Sequence, residues 1–185
     1  MNINNIEALI AYMSEKESKF MFFWGHRKVA DKVTKSCFSQ WFESSFSHEG
    51  IQYKTAEHFM MAEKAKLFDP ESDVFSKIIE AKDPGKAKKL GRQIKHFDEQ
   101  IWLEQRFDIV VKGNYLKFSQ NPELKQFLLN TSYRVIVEAS PVDPIWGIGM
   151  AADHRDAANP KRWKGLNLLG FALMQVRDQL EKASY

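Results

Sequence analysis

The sequence predicts a mainly α fold of the α+β class: a compact multihelical domain with a few short strands. Two observations carry that reading. From residue 55 onward the chain is a succession of helical signals, most with their own start residue. The strand-like runs are short and scattered: FMFFW at 20–24, FSQWFESSF at 38–46, IQY at 51–53 and RVIVEA at 134–139. A length of 185 residues suits a single domain large enough to bury a real core.

The elements follow in order. Residues 4–17 read as a short, mostly polar helix. After the first strand, residues 25–36 form a basic loop, and Glu49-Gly50 turns the second strand into the third. Thr55 caps a helix that runs to Phe68, with His58, Met61, Ala62, Ala65 and Phe68 on one face. Residues 73–81 give another helix, and Asp83-Pro84 starts the next, with proline at its first position. A long helix spans 98–118, with Trp102, Ile109 and Leu116 one heptad apart. Asn121-Pro122 opens a further helix that ends near Leu129. The last runs from 167 to 182 and turns Leu169, Leu173, Val176 and Leu180 to the core. Residues 1–20 are thus a helical N-terminal extension, and 21–185 a single domain. No repeat or low-complexity tract interrupts the chain.

Composition removes several function classes. The net charge of +3 permits an anionic ligand without demanding nucleic acid. A single cysteine, Cys37, excludes an intrachain disulfide and a Cys-rich structural zinc site. The N-terminal residues lack the basic and apolar regions of a signal peptide, and no apolar run approaches the roughly 18 residues that span a bilayer. The expectation is a soluble, cytoplasmic protein with no membrane partner.

Candidate chemistry clusters in four places. Glu57, in YKTAEHFMMAEKA, has apolar neighbours, and a carboxylate beside a buried face can act as general acid or base. It also suits the positive end of the helix dipole. Lys64 lies two turns further on the same side, as an ion-pair partner for Glu57, a phosphate ligand or an amine nucleophile. Lys35, next to the aromatic FSQWF, competes for the last role, and either lysine can equally be a solvated charge. The segment AKDPGKAKKLGRQIKH carries six Lys/Arg and one acid. In it Gly91 permits close packing that presents the Arg92 guanidinium, whose fork suits a phosphate. Without interleaved aromatics, that helix is a poor generic nucleic-acid platform. Trp102, one turn before Arg106, is either core or a stacking face.

The fourth place is SPVDPIWGIG, residues 140–149, which opens a long aperiodic segment reaching 166. Loops this long in a compact domain are functional or disordered, and Trp146 and Trp163 argue against disorder. Two prolines stiffen the backbone around Asp143, Trp146 offers a face for stacking, and Gly147 and Gly149 let backbone N–H groups approach a ligand. A proline-rich turn anchored by a core tryptophan fits the same residues. The five histidines show no metal-ligand spacing, and no Ser/His/Asp signature, phosphate-binding glycine loop or dinucleotide fingerprint is present.

Taken together these segments resemble the NADAR family of YbiA-like proteins, over residues 22–180. The matching pieces are FSQWFESSF, YKTAEHFMMAEKA, LGRQIKHFD followed by Trp102, GNYLKF, LLNT, EASPVDPIWGIGM and WKGLNLLGFALMQVR, in that order. The resemblance implies a YbiA-like, predominantly helical domain that hydrolyses N-glycosidic bonds without metal or cofactor. It implies two substrate classes: early riboflavin-pathway intermediates, in which ribose 5-phosphate sits on an aminopyrimidine, and ADP-ribose on guanine bases of nucleic acid. The first would make the chain a metabolite-repair enzyme. Glu57 and Asp143 fall on the family's acidic positions, with proton transfer as their implied role. Trp102 shapes or stacks the pocket, and Arg92, Trp146, Gly147 and Asn167 contact the ligand. Lys64 or Lys35 would supply the amine if the reaction passes through an imine. The alternative is a non-catalytic module that binds ADP-ribose or another nucleotide and needs no Glu57. Oligomeric state is not legible.

Overall fold

A computed structural model describes residues 3–30 and 32–183. Its helices are α1 (Ile6–Glu15), α2 (Ala56–Phe68), α3 (Val74–Glu80), α4 (Pro84–Gly91), α5 (Glu99–Gln120), α6 (Pro122–Leu129) and α7 (Leu168–Lys182). Four short strands accompany them: β1 (Phe20–Phe23), β2 (Phe46–His48), β3 (Ile51–Tyr53) and β4 (Val135–Glu138). Single 3-10 turns lie at Lys35–Phe38 and Pro160–Arg162. The mainly helical α+β class is therefore the observed one. No helix among the described residues is long and apolar enough to cross a membrane.

The chain divides into two compact units, one of residues 1–39 and 122–185, the other of residues 40–121. In the first, β1 pairs parallel with β4, from Phe20 opposite Val135 to Phe23 opposite Glu138. Val135, Ile136 and Val137 are all buried, as a strand covered on both faces should be. Helix α7 lies against it. Its Gly170 makes the approach, since a Cβ there would collide with the Ile136 carbonyl oxygen. Phe38 extends this core between Phe23 and Phe127, with ring centroids 5.5 Å and 5.4 Å away. Helix α1 buries Leu9 and packs beside the Pro160–Arg162 turn.

In the second unit α2 is the central element. Residues 56–62 are all buried, because α3, α4 and α5 pack around it. Two glycines set the spacing. A Cβ at Gly91 of α4 would collide with the Met61 side chain, and one at Gly113 of α5 would stand 2.7 Å from Phe59. The β2–β3 hairpin turns on Glu49 and Gly50, both with positive φ (51° and 76°), which matches the twist of a two-residue hairpin loop.

One expectation needs correction. Residues 38–46 do not form a strand. Phe42, Ser44 and Phe46 do alternate as buried against Glu43 and Ser45, which are exposed. The ladder is confined to Phe46–His48, because the partner strand ends at Tyr53 and Thr55 already caps α2. The Ser44 N–H bond to the Lys54 carbonyl, at 3.2 Å, extends the pairing by one contact. On α5, Trp102, Ile109 and Leu116 are all half-buried. The buried face is Val110, Val111, Gly113, Asn114, Lys117 and Phe118, a stripe that includes two polar residues.

Candidate functional site

The first turn of α2 is tied down twice. A helix start leaves backbone N–H groups without intrahelical acceptors. The Thr55 hydroxyl accepts from the His58 N–H at 3.3 Å, and the Gln40 carbonyl accepts from the Glu57 N–H at 3.0 Å. The Glu57 side chain is 2% exposed. His58 beside it is fully buried, and burial pushes its pKa down. Its Nε2–H donates to the Ala81 carbonyl at 3.1 Å, which leaves Nδ1 to accept from the Thr55 hydroxyl at 2.8 Å. Both ring nitrogens are thus satisfied by a neutral imidazole. Glu43, Lys54, His58 and Lys82 border a cleft of about 250 Å³, which Glu57 does not line.

Lys64, two turns along α2, lies in an unusual setting for an ammonium group. It is half-buried, and its Nζ donates to the Gly91 carbonyl at 3.2 Å. The same Nζ stands 4.3 Å from the centre of the Phe97 ring and 5.5 Å from that of Trp102. No carboxylate pairs with it among the described residues, and desolvation lowers its pKa. The expected ion pair with Glu57 is not formed. Seven residues of helix separate the two by about 10 Å along the axis, and the ammonium turns to Gly91 instead. Lys64 and Trp102 are therefore brought together. Arg92 follows Gly91 as the exposed C-cap of α4. Gly91 gives close packing against Met61, while the guanidinium remains at the surface.

The stretch 140–149 lies in the other unit and is far from loose. Asp143 folds an Asx-type turn: its Oδ1 accepts from the Ile145 N–H at 2.9 Å and the Trp146 N–H at 2.8 Å. The carbonyls of Pro144, Ile145, Trp146, Gly147 and Ile148 accept from the N–H groups of Leu166, Leu168, Leu169, Asn167 and Lys164, between 2.9 and 3.3 Å. These bonds include the orphan donors at the start of α7. Gly147 is buried, and a Cβ on it would stand 2.8 Å from the Glu138 carbonyl, so its closest neighbour is β4. Asn167 is fully buried, with φ of 53°. Its Oδ1 accepts from the Glu138 N–H and its Nδ2 donates to the Ile136 carbonyl, each at 3.0 Å. Both ends of its amide are thus taken by the main chain of β4. Trp146 is half-buried, and Asp143 keeps Oδ2 outside these bonds. Lys35 sits exposed in the 3-10 turn capped by Thr34.

Three features escape a reading of sequence alone. Gln40 and Asn114 join at the foot of Glu57, with Asn114 Nδ2 donating to Gln40 Oε1 at 2.7 Å. Lys117, one turn beyond Asn114, is fully buried, its Nζ 5.6 Å from the Phe42 ring centre and 5.1 Å from that of Phe118. Phe97 is 45% exposed beside Lys64, so the basic segment does end in an aromatic face. The signal for the first two was present in GNYLKF, where polar residues three apart share the helix face of Val110 and Phe118. Among the described residues no group of three His, Cys, Asp or Glu could hold a metal ion.

Against known proteins, the family model "NADAR domain" matches residues 22–181. The chain is 44% identical over 166 residues to N-glycosidase R617 of Acanthamoeba polyphaga mimivirus, covering 87% of this chain and 96% of that protein. It is 34% identical over 153 residues to the chloroplastic riboflavin biosynthesis protein PYRR of Zea mays, covering 74% of this chain and 23% of that protein. The NMR structure of Escherichia coli YbiA superposes with a TM-score of 0.71 at 24% identity, over 91% of this chain and 89% of that one. That likeness shows a shared fold.

Proposed function

This chain belongs to the NADAR family, and on that premise we propose that it is an N-glycosidase that hydrolyses the C1–N bond of a phosphorylated ribosylamine. The name N-glycosidase of the mimivirus relative, which matches nearly end to end, supports the reaction class. The observation that carries the chemistry is Lys64. A half-buried ammonium, held by one carbonyl and two ring faces and partly desolvated, gives up its proton more readily than a fully solvated lysine. The neutral amine is the nucleophile such a reaction uses.

The reaction then runs in two steps. The Lys64 amine attacks C1 of the sugar, the C1–N bond to the base breaks, and the base leaves with a proton. The lysine nitrogen then gives up its proton, the C1–O4 bond of the ring breaks, the ring oxygen takes a proton to become a hydroxyl, and the opened sugar remains on Lys64 as an imine. Water adds to that imine, the C–N bond to lysine breaks, and the sugar departs while the amine is restored. Glu57 serves as the acid that protonates the leaving nitrogen and as the base that activates water. Lys64 is preferred to Lys35 because Lys35 lies exposed in its 3-10 turn, whereas Lys64 is packed between a carbonyl and two aromatic rings. A direct attack by water, through an oxocarbenium-like state, is the competing route.

The deciding assay runs two substrates side by side. One is the phosphoribosylaminopyrimidine of the early riboflavin pathway, a class supported by the name of the maize relative. The other is an oligonucleotide bearing ADP-ribosylated guanine. Mass spectrometry follows the released sugar, and borohydride traps any imine. Release of ribose 5-phosphate makes this a metabolite-repair enzyme, and release of ADP-ribose makes it an eraser of base modification. A borohydride-stable sugar adduct that disappears in Lys64→Arg establishes the imine route. Turnover with no adduct establishes direct attack by water. Binding without release from either substrate would leave a non-catalytic module and overturn the proposal.

A further inference from the structure

We propose that Asn114 and Gln40 are positioning residues for Glu57, an inference that rests on the acid–base role given to Glu57 above. Asparagine in the middle of a helix is unfavourable, and a fully buried amide must repay its desolvation with hydrogen bonds. Asn114 is 0% exposed in the middle of α5. Its Nδ2 uses both hydrogens, one to the Val110 carbonyl a turn earlier at 2.9 Å, the other to Gln40 Oε1 at 2.7 Å. The first bond locks the amide against its own helix. The second reaches out to the segment that precedes β2.

Gln40 carries the constraint onward. Its side chain is held by Asn114, and its carbonyl receives the Glu57 N–H at 3.0 Å. Gln40 is itself only 7% exposed. A continuous chain of bonds therefore runs from Val110 through Asn114 and Gln40 to the backbone of Glu57. The adjoining Gly113 makes the geometry attainable, because it lets α5 close on Phe59, two residues beyond Glu57. Thr55 alone would cap the helix for stability, through the His58 N–H. The Gln40 carbonyl adds a tie at the residue to which the acid–base role is given above. A misplacement of about 1 Å at a reacting group costs on the order of a hundredfold in rate, so a rigid tie at this point bears on turnover.

Two readouts test this in the full-length chain. Asn114→Leu keeps the number and branching of the side-chain heavy atoms and removes the donors. Gln40→Met removes the Oε1 acceptor and keeps the main-chain carbonyl, and it stands in if Asn114→Leu does not fold. The first readout, amide hydrogen exchange, does not depend on activity. Exchange at the Glu57 N–H should speed up by at least about tenfold in either variant, while that at Ala62, inside the same helix, stays unchanged. The second is kinetic. The value of kcat should fall by about ten- to a hundredfold with KM within about twofold. In a Glu57→Gln background neither substitution should lower the rate further. Unchanged exchange at Glu57, or faster exchange with unchanged kcat, overturns the proposal, as does an undiminished loss in the Glu57→Gln background. Full activity of Glu57→Gln by itself would instead remove the acid–base role of Glu57, a failure of the earlier reading that the exchange data leave untouched.

Discussion

The Lys64 ammonium stands 4.3 Å from the centre of the Phe97 ring, and no carboxylate among the described residues offsets its charge. The ring face compensates part of the lost hydration, and burial lowers the pKa below the ordinary 10.5. On the proposed imine route the active species is the neutral amine. Its fraction rises as pH climbs through the folded pKa, so the rate should rise with pH and reach its plateau earlier than a solvated lysine would allow. Phe97→Ala admits water, raises that pKa and should shift the rise to higher pH, with a slower rate near neutrality. Lys64→Arg, which keeps a charge and has no nucleophilic amine, should lose about a hundredfold or more. A pH–rate profile of the three proteins checks both statements.

Glu57→Gln separates chemistry from packing. The side chain is 2% exposed, and glutamine has nearly the same shape, so the fold should survive. Removing a general acid–base group costs about 10²–10⁴ in kcat. Turnover should fall by that amount, while ligand affinity by calorimetry stays within about threefold. An equal fall in affinity would point to a binding role for Glu57.

His58 makes the fold sensitive to acid. Its folded pKa lies below the ordinary 6.5 because burial disfavours the charged ring. On acidification the unfolded chain therefore takes up the proton first. Stability is unaffected well above pH 6.5 and declines as pH falls from there towards the folded pKa, with a slope of at most about 1.4 kcal/mol per pH unit from this group. Urea midpoints measured from pH 8 to 5 should show the decline, and His58→Gln should flatten it. A wild-type midpoint that holds steady across the range contradicts the burial argument.

Local chemistry was legible and distant partnership was not. Thr55, Asp83-Pro84 and Asn121-Pro122 mark helix starts by capping and by proline geometry, which act within one turn, and each start lies where expected. The β1–β4 pairing joins residues 20–23 to 135–138, and no local pattern announces such a partner. The same distance effect misled the reading of residues 38–46. Their alternation is real, but a strand also needs a neighbour of equal length. Among candidate functional residues, the sequence singled out Glu57, Lys64 and Asp143 by charge and context. Gln40 and Asn114 are neutral, and their importance arises from one long-range bond, at 2.7 Å, between residues 74 positions apart.

Asn167 gives a sharp test of the loop at 140–149. Its φ of 53° is left-handed, where a residue with a Cβ other than asparagine pays roughly 1 kcal/mol. Its amide also supplies two bonds to the main chain of β4, at Glu138 and Ile136. Each bond removed leaves a buried group unsatisfied, at about 1–3 kcal/mol. Asn167→Gly loses the bonds but keeps the conformation without strain. Asn167→Ala loses both. Alanine should therefore be the worse of the two by roughly 1 kcal/mol, although glycine is usually the more disruptive replacement. Urea unfolding at matched m-values measures the difference. Because the Asn167 N–H also bonds the Gly147 carbonyl at 3.0 Å, both variants should loosen the segment that holds Asp143. That loosening should appear as faster amide exchange at Ile145 and Trp146, the two donors to Asp143 Oδ1. If exchange there is unchanged while stability falls, Asn167 anchors only β4 and α7, and the order of the loop rests on its own prolines and on the carbonyl ladder to residues 164–169.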